Sequence, residues 1–294
     1  MNALNVGNGF QTPVLYLRRA VGTLATNIVS GDLSLGGTPQ NGIVVENDSQ
    51  GNQFVNVLLE KPVIGLLVQQ GSGVVATPSF TVATAFSVDQ PQTNAISQTG
   101  GNYNSYNGGK LTSSGSVTTI PAISIAGSTY TSIINYTIHG FSGSGGAAIS
   151  LGATTDKVLI SENILDTNTT IINFAAAATN VSIINNNFST FSNAFLGTIT
   201  GAGNNFQNNN GYNPVGTTAA ASTGTTGATI TAGPSPETHY IKQSANFNAA
   251  VTKNTQAICT VPSAAAPCVI QLGPNETYSV AWSTTQPTYT KDVH

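Results

Sequence analysis

The chain has 294 residues and is 6% charged, with 8 Lys and Arg against 11 Asp and Glu and a net charge of −3. So few basic residues, with Arg18-Arg19 the only adjacent pair, exclude a nucleic-acid footprint. No apolar run reaches membrane-spanning length. The polarity comes from hydroxyls and amides set between β-branched and aromatic runs, which is unlike a disordered chain and points to an all-β protein.

Residues 1–98 read as an N-terminal β-rich unit. Pro13 to Ala25 (PVLYLRRAVGTLA) has the spacing of a short helix. The runs GIVVEN, FVNVLLEKPVIGLLVQQ and VVATPSFTVATAFSV follow as strands separated by Gly, Pro and Asn. GNYNSYNGG at 101–109 is a turn-rich junction. Residues 1–22 do not read as a signal peptide, because Arg18 and Arg19 fall where the apolar region of a leader would continue.

Residues 99–215 carry a repeat. SIINYTIHGF, VLISENILD and VSIINNNFST superpose, and Ile138, Ile164 and Phe188 then fall 26 and 24 residues apart. A second strand lies between each pair: AAISL, TIINF and AFLGTI. One long and one shorter strand per period describe one coil of a right-handed parallel β-helix, with Ile133, Leu159 and Ile183 in equivalent places. Asn163, Asn187 and Asn205 precede the aligned apolar residues and are expected to stack as a ladder, since Asn tolerates a left-handed turn. Residues 216–236 read as a Gly/Thr/Ala linker. Residues 237–294 read as a C-terminal antiparallel β-sandwich-like domain in which Cys259 and Cys268 are expected to pair, a short-loop disulfide adding about 2–3 kcal/mol.

The NNNF and NNF coils resemble the right-handed β-helices of the pectate-lyase-like superfamily, a group of polysaccharide lyases, polygalacturonases and phage tailspikes. The resemblance covers residues 115–214 and specifies a fold rather than a function. A β-helix followed by a small β domain also looks like the layout of viral fibres and spikes, many of them trimers. The resemblance therefore implies a virion-surface or extracellular protein that self-associates, a homotrimer being favoured, with other virion proteins and a host surface glycan as partners. The family's chemistry does not carry over. Its lyases need clustered Asp and an Arg or Lys base, and the coils supply no Arg. Its polygalacturonases need three Asp, GHG and an RIK-type motif, of which only Ile138-His139-Gly140 is partly present.

The coil carboxylates are Asp156, Glu162 and Asp166. Glu162 and Asp166 would form an acid–base pair only if both faced one groove, and they read as solvated rim charges, with His139 a surface histidine. Asp89, Asp48 and Glu46 have no partner in view. Tyr103, Tyr106 and Trp282 are the candidates for stacking on sugar rings, although Trp282 also continues an alternating strand and fits a core. N-glycosylation sequons begin at Asn47, Asn135, Asn168, Asn180, Asn187 and Asn275. No cofactor or metal is expected. A carbohydrate-active β-helix enzyme and a cellular adhesin or surface-layer protein are the other readings.

Overall fold

A computed structural model describes residues 4–6, 13–34, 40–71, 76–114, 120–199, 201, 203–213, 227, 229–242, 249–261, 267–282 and 287–293. The chain divides into two compact units, residues 1–202 with 209–211 and residues 203–208 with 212–294.

The first unit is a parallel β-helix. Its long-strand column runs through Leu4–Val6, Leu24–Asp32, Gln53–Glu60, Val82–Asp89, Ser105–Thr112 and Ser132–His139. It continues through Leu159–Ser161 with the start of Ile164–Phe174, and through Ser182–Ile184 with the start of Asn187–Gly197. The short-strand column runs through Leu15–Arg18, Ile43–Glu46, Leu66–Gln69, Ile96–Thr99, Ile123–Ala126 and Ala147–Leu151, then through the ends of the two longest strands. Every pairing in both columns is parallel. The β-helix expected from the central repeat is thus what the chain forms, and it begins well before residue 99.

The separate unit expected over residues 1–98 does not exist as such. Ile96–Thr99 pairs with Ile123–Ala126, and Ser105–Thr112 pairs with both Val82–Asp89 and Ser132–His139. The expected helix at 13–25 is a strand, Leu15–Arg18, then a turn, then the strand from Leu24. Leu17 is buried while Tyr16 and Arg18 are exposed, a period of 2 rather than 3.6. Pairing with Ile43–Glu46 overrides the local helix spacing.

Each long strand bends at one position, and that position is left-handed in every coil. Asn27, Asn56, Ala85, Gly108, Asn135, Glu162 and Asn185 all have positive φ and lie in register. Asn adopts this conformation at least cost among residues with a Cβ, and it holds four of the seven places. The bend turns the following residue inward: Val57, Phe86 and Tyr136 in earlier coils, then Asn163, Asn186 and Asn209.

Those last three form a buried ladder. Asn163 Nδ2 donates to Asn186 Oδ1 at 3.0 Å and Asn186 Nδ2 to Asn209 Oδ1 at 2.9 Å. Each acceptor also takes the backbone N–H of the preceding rung, at 3.0 Å in both cases. The expected ladder through Asn163, Asn187 and Asn205 is therefore corrected. The coils measure 27 and 23 residues here, pairing Ile138 with Leu165 and Leu165 with Phe188, so the alignment was one residue out at Ile164. Asn187 is exposed and accepts from Asn210 Nδ2 at 3.0 Å, while Asn205 opens the strand Asn205–Gln207.

In the second unit, Thr229–Thr231, Thr277–Ala281, Ala249–Lys253 and Gln256–Val261 form one antiparallel sheet. Cys268–Leu272, Glu237–Lys242 and Thr288–Val293 form another. Ile230, Val251, Tyr278 and Val280 of the first share a core with Ile241, Ile270 and Leu272 of the second. The Cys259–Cys268 disulfide joins the two sheets. Most of the linker expected at 216–236 lies outside the described residues, and Thr229–Thr231 belongs to the first of these sheets.

The two neighbouring asparagines separate the readings by stability. Asn186→Ala strands buried donors and acceptors on two rungs and is expected to cost about 2–3 kcal/mol. Asn187→Ala should change stability by about 0.5 kcal/mol or less. Denaturant unfolding of both variants measures the difference.

Candidate functional site

The turn before each long strand holds a second left-handed column. Gly22, Gly51, Phe80, Tyr103, Tyr130, Lys157 and Asn180 all have positive φ. The residues just before them are bridged coil to coil, Val21 to Gln50 to Ser79 and Asn102 to Thr129 to Asp156 to Thr179. The Phe80 N–H donates to the Asn102 carbonyl at 2.9 Å and links the two runs.

Three consecutive rungs are aromatic and solvent-facing. Phe80, Tyr103 and Tyr130 are 50%, 49% and 44% exposed. Phe80 and Tyr103 stack with centroids 5.1 Å apart and planes 6° from parallel, and Tyr103 and Tyr130 with 4.6 Å and 7°. Lys157 closes the stack, its Nζ 4.6 Å from the Tyr130 ring centre and donating to the Tyr130 hydroxyl at 3.0 Å. That hydrogen bond raises the Lys157 pKa above its ordinary value.

Energetics do not account for this choice of residues. A left-handed conformation costs a residue with a Cβ about 1–2 kcal/mol, whereas an aromatic pair contributes about 0.5–1.5 kcal/mol. Three strained rings with two stacks and one cation–π contact roughly cancel. Asn would fill the column more cheaply, as it does at Asn180 and at the strand bends. An exposed, strained and unrequired aromatic row is what a binding surface looks like.

A third column lies at the outer ends of the long strands, where Asp32, Glu60, Asp89, Thr112, His139, Asp166 and Ser189 stand in register. Its acids are mostly engaged. Lys61 Nζ donates to Asp32 at 2.6 Å and lies 3.9 Å from Glu60. Thr112 donates to Asp89, His139 Nδ1 lies 3.0 Å from Asp166, and Ser189 donates to Asp166 at 2.9 Å. Hydrogen bonds from Lys61 and Ser34 hold Asp32 down to about 2, and the Ser189 hydroxyl is the largest cause lowering Asp166. A general acid for glycoside cleavage needs the opposite shift.

Tyr103 stands in the aromatic stack. Tyr106, three residues on, is 0% exposed and donates to Gln98 Oε1 at 2.7 Å inside the coil. Its place as a glycan contact is corrected: it continues the inward column of Phe54 and Ala83. Trp282 is half-buried and packs on the core of the second unit. Glu162 sits in the bend column and Asp166 in the strand-end column. Of the sequon asparagines, Asn47 and Asn168 are buried and cannot carry a glycan in the folded chain; Asn135, Asn180, Asn187 and Asn275 are exposed.

No family model and no curated protein matches this sequence. Among solved structures, the chain is similar to the enzymatically active domain of tailspike protein 2 of bacteriophage CBA120, at 11% identity and a TM-score of 0.29. That match covers 92% of this chain and 57% of the other. Full-length tailspike protein 2 of the Escherichia coli O157:H7 bacteriophage CAB120 is similar at 11% identity and a TM-score of 0.23, over 90% of this chain and 51% of that one. The chain thus spans about half the length of the tailspike chains it matches.

The sequence reading missed Phe80 and Lys157, which a register of Gly22, Gly51, Tyr103 and Tyr130 would have found. It also missed a buried network in the second unit. Glu237 accepts the Gly233 N–H at 2.7 Å, His239 Nε2 lies 2.5 Å from Glu237, and His239 Nδ1 lies 2.9 Å from the Tyr278 hydroxyl. With Nε2–H donating to Glu237, Nδ1 accepts from Tyr278 and every buried atom of this set is satisfied.

Acid tests the strand-end column. Asp32 and Asp166 have depressed folded-state pKa values, so the stability they contribute is present above the unfolded value of about 3.9 and is lost as pH falls through the folded values. The thermal midpoint should stay level from about pH 7 to pH 4 and fall below that. In Lys61→Met, which removes the main donor to Asp32, the fall should be smaller. A midpoint that declines steadily from pH 7 to pH 5 contradicts this.

Proposed function

We propose that this chain is a virion-surface fibre or spike protein that self-associates and holds a host glycan against its coils without cleaving it. The observation that carries the reading is the exposed row Phe80, Tyr103 and Tyr130, kept in left-handed conformations that Asn would adopt more cheaply. Sugar rings present C–H faces that pack on aromatic surface, and the hydroxyl and amide flanks of the coils suit hydrogen bonding to their rims. A β-helix followed in sequence by a disulfide-linked antiparallel domain supports an extracellular role. Nearly uncharged flanks favour closed symmetric assembly, with three copies expected.

One observation favours a second reading, a glycan-cleaving enzyme: Asp32, Glu60 and Asp89 occupy successive rungs of one outward column. Release of reducing ends or unsaturated products from host-surface polysaccharide distinguishes the two. Binding without release is expected, and Asp89→Asn and Asp166→Asn should bind as the parent does. Release that either substitution reduces by orders of magnitude supports the enzyme instead. Light scattering is expected to give a trimer, and a stable monomer at micromolar concentration contradicts the self-associating part.

A further inference from the structure

The aromatic stack is capped at one end and open at the other. Beyond Tyr130 stands Lys157, its ammonium over the ring. Beyond Phe80 the column continues into Gly51 and Gly22, so two successive rungs carry no side chain. A Cβ placed on Gly51 would meet only Gly22 backbone, at 3.8 and 3.9 Å, and one placed on Gly22 would meet nothing within 4 Å. Both have positive φ, at 65° and 67°, but the column accommodates side chains in that conformation five times over. The glycines are therefore not required by the backbone alone, and what they leave clear is the outer face of the Phe80 ring.

We infer that this slot, with Phe80 as its floor and Gly51 and Gly22 as its open wall, binds one pyranose ring of an uncharged hexose or N-acetylhexosamine. Coils rise about 4.8 Å per rung, and the stacked rings lie 5.1 and 4.6 Å apart. A ring resting on Phe80 over Gly51 continues the stack at its own spacing. Two rungs of clearance admit a saturated ring, which is thicker than a phenyl group. Ligand sites pair such an apolar platform with a few polar groups that fix orientation. Here Gln50 is exposed beside Gly51, and the Arg19–Asp48 ion pair, 3.7 Å apart and exposed, lies in the same two turns. That pair offers both donors and acceptors to sugar hydroxyls and has no net charge, which favours a neutral ring over a uronic or sialic acid.

The inference rests on the glycan-binding reading and gives it an address. Saturation-transfer difference NMR with the methyl glycosides of glucose, galactose, mannose and N-acetylglucosamine tests it on the whole chain, since a single ring binds in the millimolar range. Saturation of the C–H face of at least one glycoside is expected. Phe80→Ala, which removes the floor, and Gly51→Asn, which fills the slot with the residue best suited to positive φ, should each reduce it at least tenfold. Glu162→Gln, exposed in the bend column and outside the aromatic row, should leave it unchanged. No saturation of any glycoside, or saturation that survives both Phe80→Ala and Gly51→Asn, overturns the slot. If parent and variants bind host polysaccharide equally, the slot fails while the glycan-binding reading stands; a parent that binds no polysaccharide removes that reading as well.

Discussion

Everything in the first unit depends on coil-to-coil register. Successive long strands are offset by different lengths, from 23 residues between Val82 and Ser105 to 29 between Gln53 and Val82, yet they pair in register apart from one shift between Val29 and Asp32. Variation is absorbed in the turns, while two left-handed positions per coil are kept in line. Those positions make each coil flat enough to stack, and stacking lets every inward residue meet its counterpart above and below. Ile43, Leu66, Ile96, Ile123, Ile149, Ile172 and Phe195 form one such inner file. The Asn163–Asn186–Asn209 ladder is the polar form of the same rule.

Register also explains why the chain carries so little charge. Residues stacked on neighbouring coils lie about 4.8 Å apart, where two like charges repel by about 1 kcal/mol in water and about 3.5 kcal/mol at an effective dielectric of 20. Every unpaired charge in a column risks that penalty. The strand-end column shows the remedy: Asp32 and Glu60 share Lys61, Asp89 accepts from Thr112, and Asp166 lies between His139 and Ser189. Hydroxyls and amides avoid the problem, because each can donate to one neighbour and accept from the next.

The central coils were legible in sequence because their bends use Asn and their strands keep a strict alternation. The register was off by one at Ile164 because ENIL offers two adjacent apolar residues and NNNF three adjacent asparagines, and only backbone pairing decides that Leu165 and Asn186, rather than Ile164 and Asn187, face inward. The earlier coils were not legible as coils. Their bends fall at Asn27, Asn56, Ala85 and Gly108, with no common flanking motif, so the runs read as independent strands. Tyr103 was found as a candidate because it sits in a Gly/Asn loop, but the same loop suggested Tyr106, which the inward alternation of its strand buries. Phe80 was hidden inside a continuous β-type run. A functional row built along the coil axis leaves no local motif, since its members lie 23 and 27 residues apart.

The hydroxyls of Ser105 and Ser132 give the most direct test of this register, being 2.9 Å apart on adjacent coils and facing outward between buried neighbours. Ser105→Cys combined with Ser132→Cys, oxidised in the folded protein and mapped by mass spectrometry of a non-reduced digest, should cross-link nearly completely, because partners in register on adjacent coils lie about 4.8 Å apart, within the Cα reach of a disulfide. Ser105→Cys combined with Ser182→Cys, three coils apart, should not cross-link. A cross-link in the second pair, or none in the first, would contradict the stacked-coil account.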